Sequence, residues 1–469
     1  MVGRRRVVGR RRLLAMGVLA TLAAGPALAC PDRSDVPGWH VANGGDDSAD
    51  GSVERPFASI ERARQAMRDG PYHVSYVDSG LYAPAETIRL GPEDAFATLA
   101  GCTAEPPTLD AGPAGLQTLL DLRQTTGVRV SGFTFKHATG AAVVSRDSSY
   151  LRVVHNRFED NEEGVLLDGT IRSLVCGNTI VRSAASAVEV KDGSDDNVFA
   201  HNAIDRTGAP HTSGGGFFLH GASRSLITRN LVENTNGMGI GVADWGPGTI
   251  NIGTVIEGNV VRRANRTGED SGAIYLLGRS HAETGALVLH NLIEETGAPG
   301  DAHTIGIYLD DSTSAVRVER NIVRGIGTHG VQIHGGDDIL VQNNLFELPP
   351  WATSAVLFQA APADTNPTNT MRNNRVSGNV ILMRGPARPA YTFIEGGAPA
   401  IGGNLVSITS GARQPEAPAG DVMVVAPGSG DDDIALSTLA AALIGFEPIS
   451  LEGIGPDPRA GCNEDVASR

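Results

Sequence analysis

The chain has 469 residues, of which 59 are Gly and 26 are Pro, and only 5% are aromatic. Gly at about one residue in eight would interrupt almost every helix and excludes a helical bundle; a 41% hydrophobic content excludes wholesale disorder. With 38 basic against 53 acidic residues the net charge is −15, a field that repels nucleic acid and anionic lipid, since both require a cationic footprint.

Six Arg stand in the first twelve positions, an apolar run follows from Leu13 to about Ala24, and Ala27-Leu28-Ala29 precedes Cys30. Residues 1–29 therefore read as an export signal cleaved near Ala29, which predicts a secreted or periplasmic protein. Gly9-Arg10-Arg11-Arg12-Leu13-Leu14 resembles a twin-arginine signal, so the Sec or the twin-arginine route would serve. Lipidation at Cys30 fits Ala27 and Leu28 poorly. The apolar run is too short for a permanent span, and no later segment is apolar enough to enter a membrane. Removing the signal leaves 32 basic against 53 acidic residues. Four scattered Cys (Cys30, Cys102, Cys176, Cys462) give no zinc spacing; an exported chain permits a bridge, with Cys102 or Cys30 as suggested partners of Cys462, although the sequence leaves the pairing itself open.

Residues 30–127 read as an N-terminal cap and first coils. From about 128 to 383 the chain repeats itself, which outranks any local reading of secondary structure. Asn156, Asn178, Asn202, Asn230, Asn259, Asn291, Asn321 and Asn344 each open a small apolar run, at spacings of 22, 24, 28, 29, 32, 30 and 23 residues. Short β runs at that period, separated by Gly and Asn, predict an all-β single-domain solenoid, a parallel β-helix, and a monomer; a propeller blade would need about 40 residues. Asn suits the bend through its tolerance of left-handed backbone angles and its local hydrogen bonding. Alternation in 187–191 and 330–334 puts Val188, Val190, Val331 and Ile333 inside. Residues 384–469 read as irregular last coils and a C-terminal cap, with 384–420 loop-dominated, Asp431-Asp432-Asp433 a solvated helix cap, 434–446 an apolar cap helix and Gly445–Ile449 a closing strand.

Coils between Asn202 and Asn321 exceed a regular coil by several residues, and the surplus must leave the cylinder as loops. The stretch 201–334 also holds His201, His211, His220, His281, His290, His303, His329 and His334, eight of the twelve His. Aligning GFFLHG, GIGVAD, AIYLLG, GIYLDD and GVQIHG by their apolar positions gives one outward column of Phe218, Gly241, Tyr275, Tyr308 and Gln332. The next column is His220, Ala243, Leu277, Asp310 and His334, with Asp244 and Asp311 beyond it. Coils about 4.8 Å apart bring Asp310 against His334 and Tyr275 beside Tyr308, and set Asp270 level with His303. Such a groove, floored by aromatics and joined by Trp245 and Arg279, suits a sugar. Gly214-Gly215-Gly216 lacks the strand-to-helix context of a phosphate loop.

These coils resemble the right-handed parallel β-helix repeats of the pectate-lyase-like superfamily. The segment Asp50–Ile60 is similar to the usual entry of such proteins, which implies a capping helix over about 57–69 and a first coil from Tyr76-Val77 to Thr87–Leu90. Asp270-Ser271-Gly272-Ala273-Ile274-Tyr275 followed by GIYLDD resembles β-helix glycoside hydrolases, in a group with α-L-fucosidase members; the ending GFEPI is similar as well. That likeness implies catalytic carboxylates at Asp270 and Asp311 with Asp310 adjacent, His303 and His334 as polar partners, and no cofactor, although Ca²⁺ stays open. The reaction needs one protonated and one ionised carboxyl about 5–9.5 Å apart. An extended strand would hold Asp270 too far from Asp310 and Asp311, unless the chain bends at Ser271-Gly272. A polysaccharide lyase or uronan epimerase would instead use a base such as Lys191, helped by Arg224 or Arg279. A noncatalytic carbohydrate-binding or cell-surface β-helix would need no paired acids.

Overall fold

The computed structural model describes residues 36–457 except 102–104, 211–213, 247, 268–269, 298–302, 362–370, 398, 409–420, 426–439 and 441, and also Cys462. The export signal, Cys30, Cys102, His211, Asp431 to Asp433 and the first part of the cap helix expected from 434 lie outside the described residues. The rest winds into a cylinder of three sheets in which every pair is parallel, sheets A and B with 14 strands each and sheet C with 12. One coil shows the plan: Arg152–Val154 joins sheet A, Arg157–Glu159 sheet B and Glu163–Asp168 sheet C, and each pairs with its counterpart about one coil away.

The interior is one apolar cluster running from Val41 to Val406. Val188, Val190, Val331 and Ile333 are fully buried in it, as their alternation requires. The first helix, Ile60–Asp69, covers the open end: Ser59 accepts from the Arg62 N–H, and Ile60, Ala63, Ala66 and Met67 face the coil below. Its cap satisfies one of the orphan donors of the first turn.

The repeating Asn build a buried ladder. Each Nδ2 donates to a carbonyl of the coil below and to the Oδ1 of the next Asn: Asn259 Nδ2 lies 2.9 Å from Ile227 O and 3.0 Å from Asn291 Oδ1. Its Oδ1 accepts from the backbone and side chain of Asn230, both at 2.9 Å. The ladder continues past Asn344 through Asn379 and Asn404 and ends on Asp421. The bend itself belongs to the preceding residue. His155, His201, Arg229, His290 and Arg320 have φ between 53° and 57°, so the ladder Asn serves for its amide rather than for backbone tolerance.

Tyr391–Ile394, Ala400–Ile401 and Leu405–Ile408 add another coil, and 409–420 lie outside the described residues. Two expectations are corrected at the C-terminal end. Residues 445–449 form no strand. The tail instead runs back along the A–B corner as a longitudinal strap: Glu447 meets Asn343 and Arg320, Ser450 O meets His290, Gly455 N donates to Gly258 O, and Asp457 N donates to His201. Cys462 is bonded to Cys176, not to Cys30 or Cys102. No helix among the described residues is long and apolar enough to cross a membrane.

Candidate functional site

The register of sheet C follows from its alternation. Phe218 pairs with Gly241, Gly241 with Tyr275, Tyr275 with Tyr308 and Tyr308 with Gln332. Leu277 pairs with Asp310, and His334 Nδ1 stands 2.7 Å from Asp310 Oδ1. Ser271 pairs with Thr304, so Asp270 and His303 are level, with Asp270 Oδ1 and His303 Nδ1 4.0 Å apart.

Asp310 is the hub. Its Oδ2 accepts from the Tyr275 hydroxyl at 2.7 Å, and its Oδ1 accepts from the Asp311 N–H at 2.8 Å as well as facing His334. Burial alone would raise its pKa, but the bonds from His334 and Tyr275 outweigh burial and hold it below the usual carboxylate range. Burial alone would lower the pKa of His334, and Asp310 and Asp311 reverse that and raise it. Asp311 closes the group, with Oδ1 3.6 Å from His334 Nδ1 and Oδ2 2.6 Å from Arg279 Nε. Consecutive strand residues ordinarily point to opposite faces. Asp310 and Asp311 converge because the strand Thr304–Asp310 ends there and Asp311 turns left-handed at φ 38°.

Asp270 reaches this group through a phenol. The Tyr308 hydroxyl donates to Asp270 Oδ1 at 3.1 Å and also faces Asp310; burial, then Asp310 and Asp270, push its pKa up. No bend at Ser271-Gly272 is needed, since Asp270 is itself left-handed at φ 52° and the tyrosine spans the gap. Alternation also breaks inside the strand, for adjacent Ala273 and Ile274 both lie in the core. One coil later Gly306 takes the crowded position, where a Cβ would lie 2.6 Å from Gly330 O and 2.7 Å from Val323 Cγ1. The outer face thereby gains an extra column that carries Met238, Ile305 and His329.

The other expected contacts divide by exposure. Tyr275 and Tyr308 are only 7% and 2% exposed and pack edge-to-face at 5.4 Å. They offer no open face to a sugar ring, so the expected aromatic platform is corrected to a pair of buried hydroxyl donors. Gln332 is buried and donates to Gln359, and buried Asp244 accepts from Ser280 and from the Gly246 N–H. Open to solvent are Asp270, His303, and Trp245 with the Arg279 guanidinium 5.2 Å over its ring. Phe218 is half-buried beside His220, which bonds Glu189 at 3.0 Å.

Glu163 was not anticipated. Burial, then its hydrogen bond to Glu189, raises its pKa, while His220 holds Glu189 low. A bulge hides it from alternation: the N–H groups of Gly164 and Val165 both point to Ala187 O. Among the described residues, Asp310, Asp311 and His334 are the one set with three donor atoms close enough for a metal, all within 4.8 Å. Tyr275 and Arg279 already occupy the second carboxylate oxygens. Two carboxylates already bonded to neighbours and one imidazole do not fit Ca²⁺, which takes six to eight oxygens.

A family model and one solved structure agree on the fold. The model of the right handed beta helix region matches residues 116–261 and 211–346. A solved structure described as a glycoside hydrolase is 9% identical, with a TM-score of 0.51, covering 76% of this chain and 96% of its own. The catalytic domain of a GH87 alpha-1,3-glucanase variant in complex with tetrasaccharides is 15% identical (TM-score 0.46; 86% and 70% covered). The A-module of the Azotobacter vinelandii mannuronan C-5 epimerase AlgE6 is 14% identical (TM-score 0.38; 79% and 95% covered). No curated protein matches the chain. The chain is a right-handed parallel β-helix.

Proposed function

We propose that this is an exported carbohydrate-active protein that hydrolyses glycosidic bonds on the outer face of sheet C. Fold does not carry that reading. It rests on one observation: the Tyr308 phenol reaches both Asp270 and Asp310. Carboxyl groups that share one hydroxyl are at most about two hydrogen bonds, roughly 6 Å, apart, close to the shorter separation that glycosidases use.

Roles follow from exposure and charge. Asp270 is 65% exposed, and among the described residues its bonded side-chain neighbour is Tyr308, with His303 near. It is the carboxyl free to exchange a proton with the leaving oxygen. Asp310, ionised and held by three donors, supplies with Asp311 the negative charge that faces an oxocarbenium-like transition state. His334 and Tyr275 fix its position, and Trp245, Arg279 and Phe218 line the approach. A disulfide such as Cys176–Cys462 persists in oxidising compartments, which supports export together with the Arg-rich leader.

A polysaccharide panel assayed for new reducing ends tests the reading. Asp270→Asn is expected to lower kcat at least ~100-fold, the usual minimum for a proton-transfer group, at unchanged Tm. Full turnover by that variant, or an unsaturated product end absorbing in the near ultraviolet, would remove the hydrolase assignment.

A further inference from the structure

At the corner between sheets C and A, the residue two positions before each strand of sheet A from Thr98–Gly101 to Arg375–Ser377 is left-handed. In chain order these are Phe96, Gly127, Tyr150, Arg172, Asp196, Arg224, Gly253, Gly285, Ala315, Asp338 and Asn373, with φ between 50° and 69°. Backbone bonds link consecutive coils there: Phe96 N to Thr126 O, Gly127 N to Ser149 O, Tyr150 N to Ile171 O and Arg172 N to Asp195 O. Most of these residues are small or polar, as a left-handed position prefers. Phe96 and Tyr150 are not. A bulky aromatic there is an outlier, and neither ring repays the strain by burial, since Phe96 is 68% and Tyr150 53% exposed.

The coil between them makes way for the Phe96 ring. A Cβ on Gly127 would lie 2.4 Å from Phe96 Cδ1, so the phenyl ring leans over Gly127 along the cylinder axis. Thr126 and Ser149 put two hydroxyls 3.0 Å apart beside it. Beyond Tyr150, the Arg172 guanidinium sits 5.9 Å over the ring and donates to its hydroxyl at 3.1 Å. The result is a line over four coils, roughly 14 Å at sheet spacing, in which the Phe96 ring covers Gly127 and is followed by the Tyr150 ring and the Arg172 guanidinium.

We propose that the Phe96–Gly127–Tyr150 strip, with Arg172 at its end, is a carbohydrate-docking surface separate from the Asp310 site, and that it takes a neutral polysaccharide chain lying along the cylinder axis. Ring faces accept the C–H faces of sugars, the flanking hydroxyls accept from or donate to sugar hydroxyls, and the guanidinium donates to them. A linear polymer matches a linear strip. Two rings fall far short of the ~800 Å² per partner of a stable protein interface, and the acidic chain repels polyanions. The strip stands whether or not Asp270 cleaves anything.

Affinity electrophoresis of the full chain in gels containing hydroxyethylcellulose, xylan or dextran tests this. The wild type is expected to be retarded by at least one of the three. A Phe96→Gly, Tyr150→Gly double variant should bind that glycan at least tenfold more weakly, with Tm unchanged or higher because Gly relieves both left-handed positions. Asp270→Asn should keep the retardation. The proposal is overturned by a wild type that no glycan retards, by retardation that survives the double variant, or by a drop of several degrees in the double variant's Tm. Loss of self-association in place of glycan binding would overturn it too, by assigning the strip to a second copy of the chain.

Discussion

His334 and Asp310 stand on adjacent coils with Nδ1 and Oδ1 2.7 Å apart, both side chains nearly closed to solvent. Their pKa shifts oppose each other and define a pH window. The raised pKa of His334 gives stability that is complete below its ordinary value near 6.5 and is lost as pH rises through the raised one. The lowered pKa of Asp310 gives stability present above its ordinary value near 3.8 and lost as pH falls through the lowered one. Removing one partner of a buried pair costs about 3 kcal/mol. Melting curves of wild type and His334→Ala should therefore be furthest apart between about pH 4 and 6.5 and converge at alkaline pH. A penalty that does not vary with pH would show that the pair is not ionic.

The Asn ladder predicts an asymmetry between two chemically similar substitutions. Asn259→Asp removes the donor that Ile227 O and Asn291 Oδ1 require and leaves a carboxylate against both. Each buried group left without a partner costs about 1–3 kcal/mol, and more for a charge, so urea unfolding should register a loss of at least ~3 kcal/mol. Asp421→Asn should cost clearly less, because Oδ1 keeps accepting from Asn404 and only the Tyr391 hydroxyl, 2.8 Å from Oδ2, must turn from donor to acceptor. Equal penalties at the two positions would refute the ladder's directionality.

The C-terminal strap is latched to the first half of the cylinder across 286 residues. Closing so long a loop restricts the unfolded chain by up to about 5 kcal/mol in the chain-entropy account. Cys462→Ser is expected to lower Tm and to make residues after Glu447 the first site of limited proteolysis, while the coils stay protected. Reduction of the wild type should reproduce both effects. A strap that stays protease-resistant without the disulfide would mean that its backbone bonds to His201, Gly258 and His290 suffice.

What could be read in the sequence was what repeats. A buried Asn in every coil leaves a period, and two-residue alternation pins a register, because a slip of one residue would turn Val188, Val331 and their equivalents outward. The columns Phe218 to Gln332 and Leu277 to Asp310 followed directly. Features that depend on backbone groups were invisible. The strap is held through Ser450 O, Gly455 N and Asp457 N, atoms that any residue possesses. Burial of Tyr275 and Tyr308 depends on what covers the sheet rather than on the strand pattern, so they read as an open platform. Asp270 looked too distant because strand spacing counts Cα positions and ignores the reach of a tyrosine.

Glu163 and Glu189 supply the last prediction, because a carboxyl pair on a sheet face must share its protons unevenly. Burial and the hydrogen bond to Glu189 push Glu163 up to about 9, whereas His220, 3.0 Å away, keeps Glu189 ionised. The folded chain then holds a proton that the unfolded chain releases above the ordinary glutamate range. The contribution of Glu163 to stability must fall as pH rises from about 4.5 toward 9, since over that span this carboxyl binds a proton in the native state and not in the unfolded one. Glu163→Gln keeps the shape and the hydrogen bond without a titrating proton. Its melting temperature should be at or below wild type near pH 5, overtake wild type as pH rises, and exceed it clearly at pH 9, as read by thermal melts at half-unit intervals. Two parallel curves would mean that Glu163 is ionised in the native state and that the two carboxyl groups share no proton.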